Sequence, residues 1–399
     1  MERWKINLYT LWVTQIISLT SFGLGLPFIP FYIQEMGVTD PDQIKLFTGI
    51  LSTAPAVTMG LMSPIWGRLA DKWGRKLMIL RAMLFASVII GGMGIVANVW
   101  QLVLLRGFQG LFTGTITAAT AFVAANTPKN RLSYALGFMS SSTFIGYSIG
   151  PLIGGIFAET FGYRFSFFAG GGLMIVGFFL VLFLLVEDKS TIGGKQEDAE
   201  ADKDKVKLFT PLILYLLLVL FLHRVTRTVF SPYIPLFIQS SLDSTEGAAK
   251  LTGIINGVAG LATALAGLTI SRLGDRLSKL KLATILIFIS FCISLTLRYA
   301  NSLYIFIGLY GILFFFLGGI EPIITSTTAE KTPSERRGEL FGYQGLVGGL
   351  GWMISPMMGA YVSVNYSTKS ILSLMPIFIF MIFIVLLKLN RSKPKSCDE

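Results

Sequence analysis

Long apolar runs separated by short polar breaks dominate the chain. A helix needs about twenty apolar residues to cross hydrocarbon. Runs of that length fall near 9–35, 46–67, 78–97, 99–124, 133–158, 163–186, 209–238, 247–272, 279–299, 302–328, 339–363 and 368–388. Within each run the apolar positions are continuous and do not alternate with period two, which excludes a barrel. In a bilayer core each segment must satisfy its own backbone N–H and C=O groups, so each run is predicted as a helix. The pattern predicts an all-α polytopic membrane protein with twelve transmembrane helices. An even number of spans leaves both termini on one side.

One long polar stretch interrupts this pattern. Glu187 to Lys207 carries seven acids and five lysines with little apolar content, and reads as a connector. The organisation expected is a six-helix bundle over 1–186, a cytoplasmic linker over 187–208, a second six-helix bundle over 209–388, and a cytoplasmic tail over 389–399. The start, Met1 to Asn7, is short and charged, and the apolar run after it continues without an A-x-A-like site. It is therefore expected to remain as the first membrane helix.

The two halves echo each other at an offset of 204 to 205 residues. Leu26-Pro27-Phe28-Ile29-Pro30 matches Ser231-Pro232-Tyr233-Ile234-Pro235, and Leu69-Ala70-Asp71-Lys72 matches Leu273-Gly274-Asp275-Arg276. Thr127-Pro128, Arg131 and Gly137 recur as Thr332-Pro333, Arg336 and Gly342. Gly150-Pro151 and Gly154-Gly155 recur as Ser355-Pro356 and Gly359-Ala360. A six-helix half repeated in parallel places a substrate site midway across the membrane between two rocking halves.

Composition agrees with lipid as the solvent. The chain is 53% hydrophobic and 14% charged, with a mean hydropathy of +0.68; a soluble globule carries about 25% charged residues. The formal charge of +11 raises a nucleic-acid partner, but its distribution argues for topology instead. With the N-terminus inside, 25 of the 33 Lys and Arg fall on the cytoplasmic face, five at the outer face and three (Arg106, Arg224, Arg227) within the membrane. The location expected is the inner (plasma) membrane, multi-pass, with both termini cytoplasmic. Cys292 and Cys397 give no disulfide framework. No metal cluster, nucleophile–base pair or phosphate loop is present, so neither an enzyme nor a cofactor is expected and ATP is not the energy source. A monomer in membrane lipid suffices.

Three motifs narrow the class. Between the second and third runs stands Gly67-Arg68-Leu69-Ala70-Asp71-Lys72-Trp73-Gly74-Arg75-Lys76. Its two glycines are expected to allow a tight turn, with Asp71 among cations or facing a helix N-terminus. The fourth run carries Leu102-x-x-x-Arg106-x-x-Gln109-Gly110, and an arginine that deep must find partners or a cavity. The fifth carries Gly146-x-x-x-Gly150-Pro151-x-x-Gly154-Gly155, small residues that let helices approach closely, with a proline that removes one backbone bond. Gly253, Gly257 and Gly260 in the eighth run offer a close-packing partner.

These segments resemble the major facilitator superfamily, in its twelve-helix drug/proton antiporter group, the MdtG/PmrA-like multidrug exporters. The likeness is specific over roughly residues 20–160. It implies a cytoplasmic latch around Gly67, Asp71, Gly74 and Arg75 that holds the halves together in the outward-facing state. It also implies that Arg106 either assists proton transfer or holds a hydrogen-bond network, and that the helix-five glycines and Pro151 mark an antiporter, with the proton gradient as energy source. The family pattern often places an acid beside the helix-four arginine, and none lies deep in this N-terminal half.

Glu321 is the one carboxylate deep in a span, so it is the first choice for proton coupling, followed by Glu35 and His223, with Arg106 assisting. Arg224 and Arg227 lie three apart on one helix face, too deep to snorkel, and are expected to line a net-positive cavity with Glu321. A structural Arg–Glu321 pair is the alternative. Aromatic residues, including Phe28, Phe31, Tyr32, Tyr147, Tyr233, Phe237 and Tyr343, would suit an amphipathic small-molecule ligand. The function expected is export of a small amphipathic substrate by proton antiport with alternating access, in multidrug efflux. The alternative is a dedicated exporter of an anionic metabolite, siderophore or lipid.

Overall fold

The computed structural model describes residues 2–128, 131–187, 209–300, 302–333 and 336–391. Within these, the side chains at positions 71, 132, 133, 271, 272, 274–276, 337 and 338 are not described. Positions 188–208 of the expected linker and 392–399 of the expected tail lie outside the described residues.

The described residues are helical with short turns. Span one comprises α1 (Arg3–Gly25), a 3-10 turn over Leu26–Phe28 and α2 (Ile29–Glu35). Spans two and three are α3 (Pro41–Trp73) and α4 (Arg75–Met93); span four is α5 (Val99–Phe112) with α6 (Thr115–Asn126). Spans five and six are α7 (Leu132–Phe161) and α8 (Tyr163–Leu184). Span seven is α9 (Pro211–Thr228) and α10 (Ile234–Leu242) around a turn over Ser231–Tyr233. Spans eight and nine are α11 (Ala248–Arg276) and α12 (Lys279–Leu297); span ten is α13 (Leu303–Gly318) with α14 (Ile320–Glu330). Span eleven is α15 (Arg337–Asn365), and a turn over Thr368–Ser373 leads into α16 (Leu374–Arg391). Eleven of these spans meet length and apolarity criteria for crossing a membrane among the described residues. The twelfth, α15, is a single helix of 29 residues.

Spans one, four, seven and ten differ from their sequence expectation, because each is broken near its middle or outer third. Pro27 and Pro232 lack an N–H and open the 3-10 turns, and Pro30 and Pro235 start the short helices that follow. Gly114 takes φ +129°, which favours glycine, and Gly318-Gly319 separates α13 from α14. The breaks recur at the offset of the sequence repeat.

The loop motif also differs from expectation. Gly67 lies inside α3, which continues to Trp73, so it forms no turn. Gly74 alone makes it, with φ +96° and its N–H donating to the Ala70 carbonyl at 3.0 Å. The helix persists through Gly67 because nothing there demands left-handed backbone.

By packing, the described residues form two compact units, one drawn from 1–195 with 232–261 and the other from 196–231 with 262–399. The first is centred on Leu11, Leu51, Met83, Leu102, Phe122 and Phe167. One end is tied by local electrostatics. The Glu187 carboxylate accepts from the backbone N–H of Arg75 and Lys76 at 2.7 and 3.0 Å, at the positive start of α4. Lys76 Nζ in turn donates to the Leu182 and Leu185 carbonyls at the negative end of α8. Asn7 exchanges two hydrogen bonds with the Val186 backbone.

Glycines set the helix spacing in the same unit. A Cβ on Gly150 would stand 2.9 Å from the Gly23 Cα of α1, and one on Gly154 2.5 Å from the Leu24 carbonyl oxygen. On its other face α7 meets α11. A Cβ on Gly155 would lie 2.7 Å from the Ala249 oxygen, and one on Gly253 2.4 Å from the Pro151 oxygen. The second unit packs α9 and α12 to α16 around Leu216, Leu220, Ile287, Leu313, Ile379 and Ile382. Large apolar side chains such as Leu61, Val88, Phe183 and Leu268 are exposed, as lipid contact requires.

Candidate functional site

In the second unit the break in span ten gathers four of the residues singled out from the sequence. α13 ends at Gly318, where the Gly319 N–H donates to the Leu317 carbonyl. That oxygen takes a second partner in His223 of α9, whose Nε2 lies 3.0 Å away. A carbonyl only accepts, so Nε2 carries the proton. His223 is fully buried and its Nδ1 has no hydrogen-bond partner, an arrangement suited to a neutral ring.

Glu321 sits in the first turn of α14, just past the break, where the helix dipole favours an anion. Its carboxylate pairs with Arg224 of α9 through Oε1 and Nη2. Neither partner is sealed: the side chains are 43% and 32% exposed. Room for the Arg224 stem comes from α15, where a Cβ on Gly351 would lie 2.9 Å from Arg224 Cβ.

Arg227, one turn along α9, takes other partners. Its Nη2 donates to Thr263 Oγ1 of α11 at 2.9 Å, and its guanidinium carbon stands 5.2 Å from the Phe314 ring centre. The Tyr310 and Phe314 rings lie 4.5 Å apart, tilted by 36°, and Phe230 meets Tyr310 edge to face. The cluster therefore combines a partly open ion pair, a second guanidinium on an aromatic wall, and a buried imidazole. Its groups can hold an anion or an aromatic ring, or exchange a proton at the carboxylate.

The sequence did not point to Thr263, Phe314, the Leu317 carbonyl or Gly351. Only the paired glycines at 318 and 319 signalled a break in span ten.

Arg106 belongs to the first unit and lies elsewhere. It is 7% exposed; its Nε donates to the Leu51 carbonyl at 2.7 Å and its Nη1 to Gln109 Oε1 at 2.5 Å. The Leu51 carbonyl is available for a readable reason. Pro55, four residues on in α3, has no N–H to donate to it. Gly110 lets the helices touch, since a Cβ there would fall 2.2 Å from the Pro55 oxygen and 2.0 Å from Thr58 Oγ1. Thr58 Oγ1 bonds back to the Gly107 carbonyl at 2.9 Å. Of the two roles that the resemblance implies for Arg106, this geometry is that of a hydrogen-bond network.

The remaining candidates are dispersed. Glu35 ends α2, 3.5 Å from Arg164 Nε. Tyr32 is fully buried, its hydroxyl donating to the Met93 carbonyl at 2.8 Å, and Tyr233 is fully buried as well. Tyr147 on α7 is exposed, and Tyr343 packs edge-on against Phe209. Arg75 contributes its backbone N–H to Glu187, whereas the Asp71 side chain lies outside the described residues.

Comparison with known proteins places this architecture. The family model of the Major Facilitator Superfamily matches twice, over residues 11–222 and 216–398. The chain is 33% identical over 361 residues to the multi-drug resistance efflux pump PmrA homolog of Lactococcus lactis subsp. lactis (strain IL1403), covering 90% of this chain and 89% of the relative. It is 29% identical over 373 residues to the multidrug resistance protein MdtG of Escherichia coli (strain SMS-3-5 / SECEC), covering 92% and 90%. Among solved structures, a bacterial homolog of the human lysosomal transporter Spinster, inward-facing and occupied, superposes with a TM-score of 0.79 at 14% identity, covering 97% of this chain and 96% of the other. The human organic anion transporter MFSD10 superposes at 0.70, also at 14% identity, covering 97% and 100%; both likenesses concern the fold. With two matches spanning both halves of an all-helical, membrane-crossing chain, this protein is a secondary transporter, not an enzyme, and belongs to the major facilitator superfamily.

Proposed function

We propose that the chain is a multidrug exporter of the inner (plasma) membrane, with both termini cytoplasmic, that exchanges protons for amphipathic molecules by alternating access. The observation that carries the coupling is the partly open Arg224–Glu321 pair across the break in span ten. While Glu321 is ionised it holds Arg224. A proton arriving from outside removes that attraction and frees the guanidinium, so proton and substrate compete for one arrangement of the cluster. The similarity to pumps named for multidrug resistance supports the direction and breadth of transport. Neither a cofactor nor a second subunit enters this scheme.

The test is export of a fluorescent cationic dye into the lumen of energised inverted vesicles, which corresponds to the outside of the cell. Glu321→Gln is expected to abolish acceleration of export by a pH gradient while the protein still inserts. Gradient-driven export at the wild-type rate in that variant would overturn the coupling role.

A second reading, a dedicated exporter of an anionic substrate, is favoured by one observation: Arg224 pairs with the carboxylate of the cluster while Arg227 brings a second guanidinium to its aromatic wall. Thermal stabilisation of the purified protein separates the two readings, since a ligand of the folded state raises apparent stability with concentration. Shifts given by siderophores, phosphonates or anionic lipids, and lost in an Arg224→Gln/Arg227→Gln variant, would favour the anion exporter. Shifts given by varied cations and lost in Glu321→Gln favour the multidrug reading.

A further inference from the structure

His223 is the buried titratable side chain that the coupling scheme leaves without a task. Its ring is fully buried, its Nε2 donates to the Leu317 carbonyl at 3.0 Å, and its Nδ1 is sealed from solvent with no hydrogen-bond partner. The charged groups that act on the ring are Arg224 and Arg227 of its own helix and Glu321 of α14. Arg227 stands one turn on, at i+4, and Glu321 is already paired with Arg224. A second proton on the ring would add a third positive charge to a cluster with one carboxylate. It would also place an N–H without an acceptor away from water. The surroundings hold the ring neutral.

The bond to Leu317 stands where it can set the geometry of the ion pair. Three residues of α9 reach three different elements. His223 bonds to the end of α13, Arg224 pairs with Glu321 at the start of α14, and Arg227 donates to Thr263 of α11. Helix α11 also closes on the break itself. A Cβ on Gly318 would lie 3.0 Å from Thr263 Cα, and one on Gly319 2.6 Å from Ile270 Cγ2. Of the three ties, only the one between Arg224 and Glu321 includes a group that gains a proton in the scheme. The imidazole tie joins two neutral groups, so it persists when the ion pair opens.

The first unit carries the same stitch without the charges. Ser18, 205 positions before His223, shares a hydrogen bond of 3.1 Å with Thr115, the first residue of α6 past the break at Gly114. At the places equivalent to Arg224, Arg227 and Glu321 stand Leu19, Phe22 and Ile116. A tie from the first span of each half to the break in its fourth is thus common to both halves. The second half adds the ion pair beside it.

We propose that His223 is a positioning residue of the coupling site and not a carrier of its proton. It is a permanently neutral Nε2–H tautomer that pins α9 to the break in span ten, so that Arg224 returns to Glu321 each time the carboxylate loses its proton. Its importance for transport rests on the coupling role proposed above for Glu321; the state of the ring does not.

The chain holds a single histidine, so ¹⁵N-histidine labelling reads this ring alone. Nitrogen NMR is recorded on the full chain, purified in detergent through a histidine-free tag, from about pH 5 to about pH 9. One protonated and one bare ring nitrogen are expected throughout. A doubly protonated ring in the folded protein anywhere in that range would overturn the proposal. Export of the cationic dye into inverted vesicles then compares acceleration by a pH gradient in two variants. His223→Gln carries an uncharged N–H the same number of bonds from Cα and should keep the wild-type acceleration. His223→Met, which has no donor, should lose at least fivefold, measured against its own export without a gradient. Acceleration lost in His223→Gln, or kept in His223→Met, overturns the positioning role. Where His223→Met does not insert, the NMR and His223→Gln decide. Gradient-driven export at the wild-type rate in Glu321→Gln removes the coupling reading instead, and the neutral, pinned ring then stands or falls on the NMR.

Discussion

Arg106 is buried in an apolar span at a cost that its contacts must offset, and the partner it finds is a backbone carbonyl released by a proline. In an ordinary helix the Leu51 carbonyl would accept from the N–H of residue 55, but residue 55 is Pro55, so the guanidinium takes that place. This makes a testable pair of substitutions. Arg106→Met leaves the Leu51 carbonyl and the Gln109 side chain without this partner, and should lower stability by about 2 to 4 kcal/mol. Pro55→Ala restores the N–H within α3. In that background Arg106→Met should cost measurably less, read as the shift in thermal unfolding of the purified protein. Equal costs in both backgrounds would show that the proline has no part in positioning Arg106. Arg224 instead takes a side-chain partner, the Glu321 carboxylate in the first turn of α14 just past Gly318 and Gly319.

At the scale of elements, the helix-five motif acts through contact distances. Gly150, Gly154 and Gly146 face α1, while Gly155 together with Pro151, Leu152 and Ser148 faces α11. The opposing groups at Gly154, Gly155 and Gly253 include backbone atoms at 2.4 to 2.7 Å from a built Cβ, which cannot rotate away. Gly154→Ala and Gly253→Ala should therefore reduce export at least tenfold or prevent stable insertion, whereas Gly172→Ala and Gly137→Ala, with nothing within 4 Å, should behave as wild type. Export and the yield of monodisperse protein are measured together; normal export in Gly154→Ala and Gly253→Ala would mean that close approach is not needed. The same element view explains the broken spans. Hydropathy sees only transfer to lipid, which a 3-10 turn or a glycine break does not alter, so a run such as 302–328 looks continuous while its backbone is not.

Across the whole molecule the repeat becomes physical at one pair of residues. Gln34 of α2 and Gln239 of α10, 205 positions apart and hence at equivalent places in the two halves, exchange two side-chain hydrogen bonds of 2.9 Å each. The alternating access we propose would have this pair separate in each cycle. In a chain with Cys292 and Cys397 replaced by Ser, Gln34→Cys/Gln239→Cys joined by a short cleavable bis-thiosulfonate should lose at least tenfold in dye export, restored by reductant. Full export in the cross-linked state would mean that α2 and α10 do not part.

The sequence by itself determined the twelve runs, the loop, helix-four and helix-five motifs, the parallel repeat and the superfamily, because each is written in local composition or in fixed spacings along the chain. It also singled out His223, Arg224, Arg227 and Glu321, since charge in an apolar run is conspicuous wherever its partner lies. The tertiary structure decided the partners: Leu51 for Arg106, Leu317 for His223, Glu321 for Arg224, Thr263 for Arg227 and Gln239 for Gln34. Those pairings join residues 36 to 205 positions apart. They depend on where prolines and glycines release backbone groups and on which helix then lies within 3 Å or so, a distance fixed by packing and not by any periodicity in the chain.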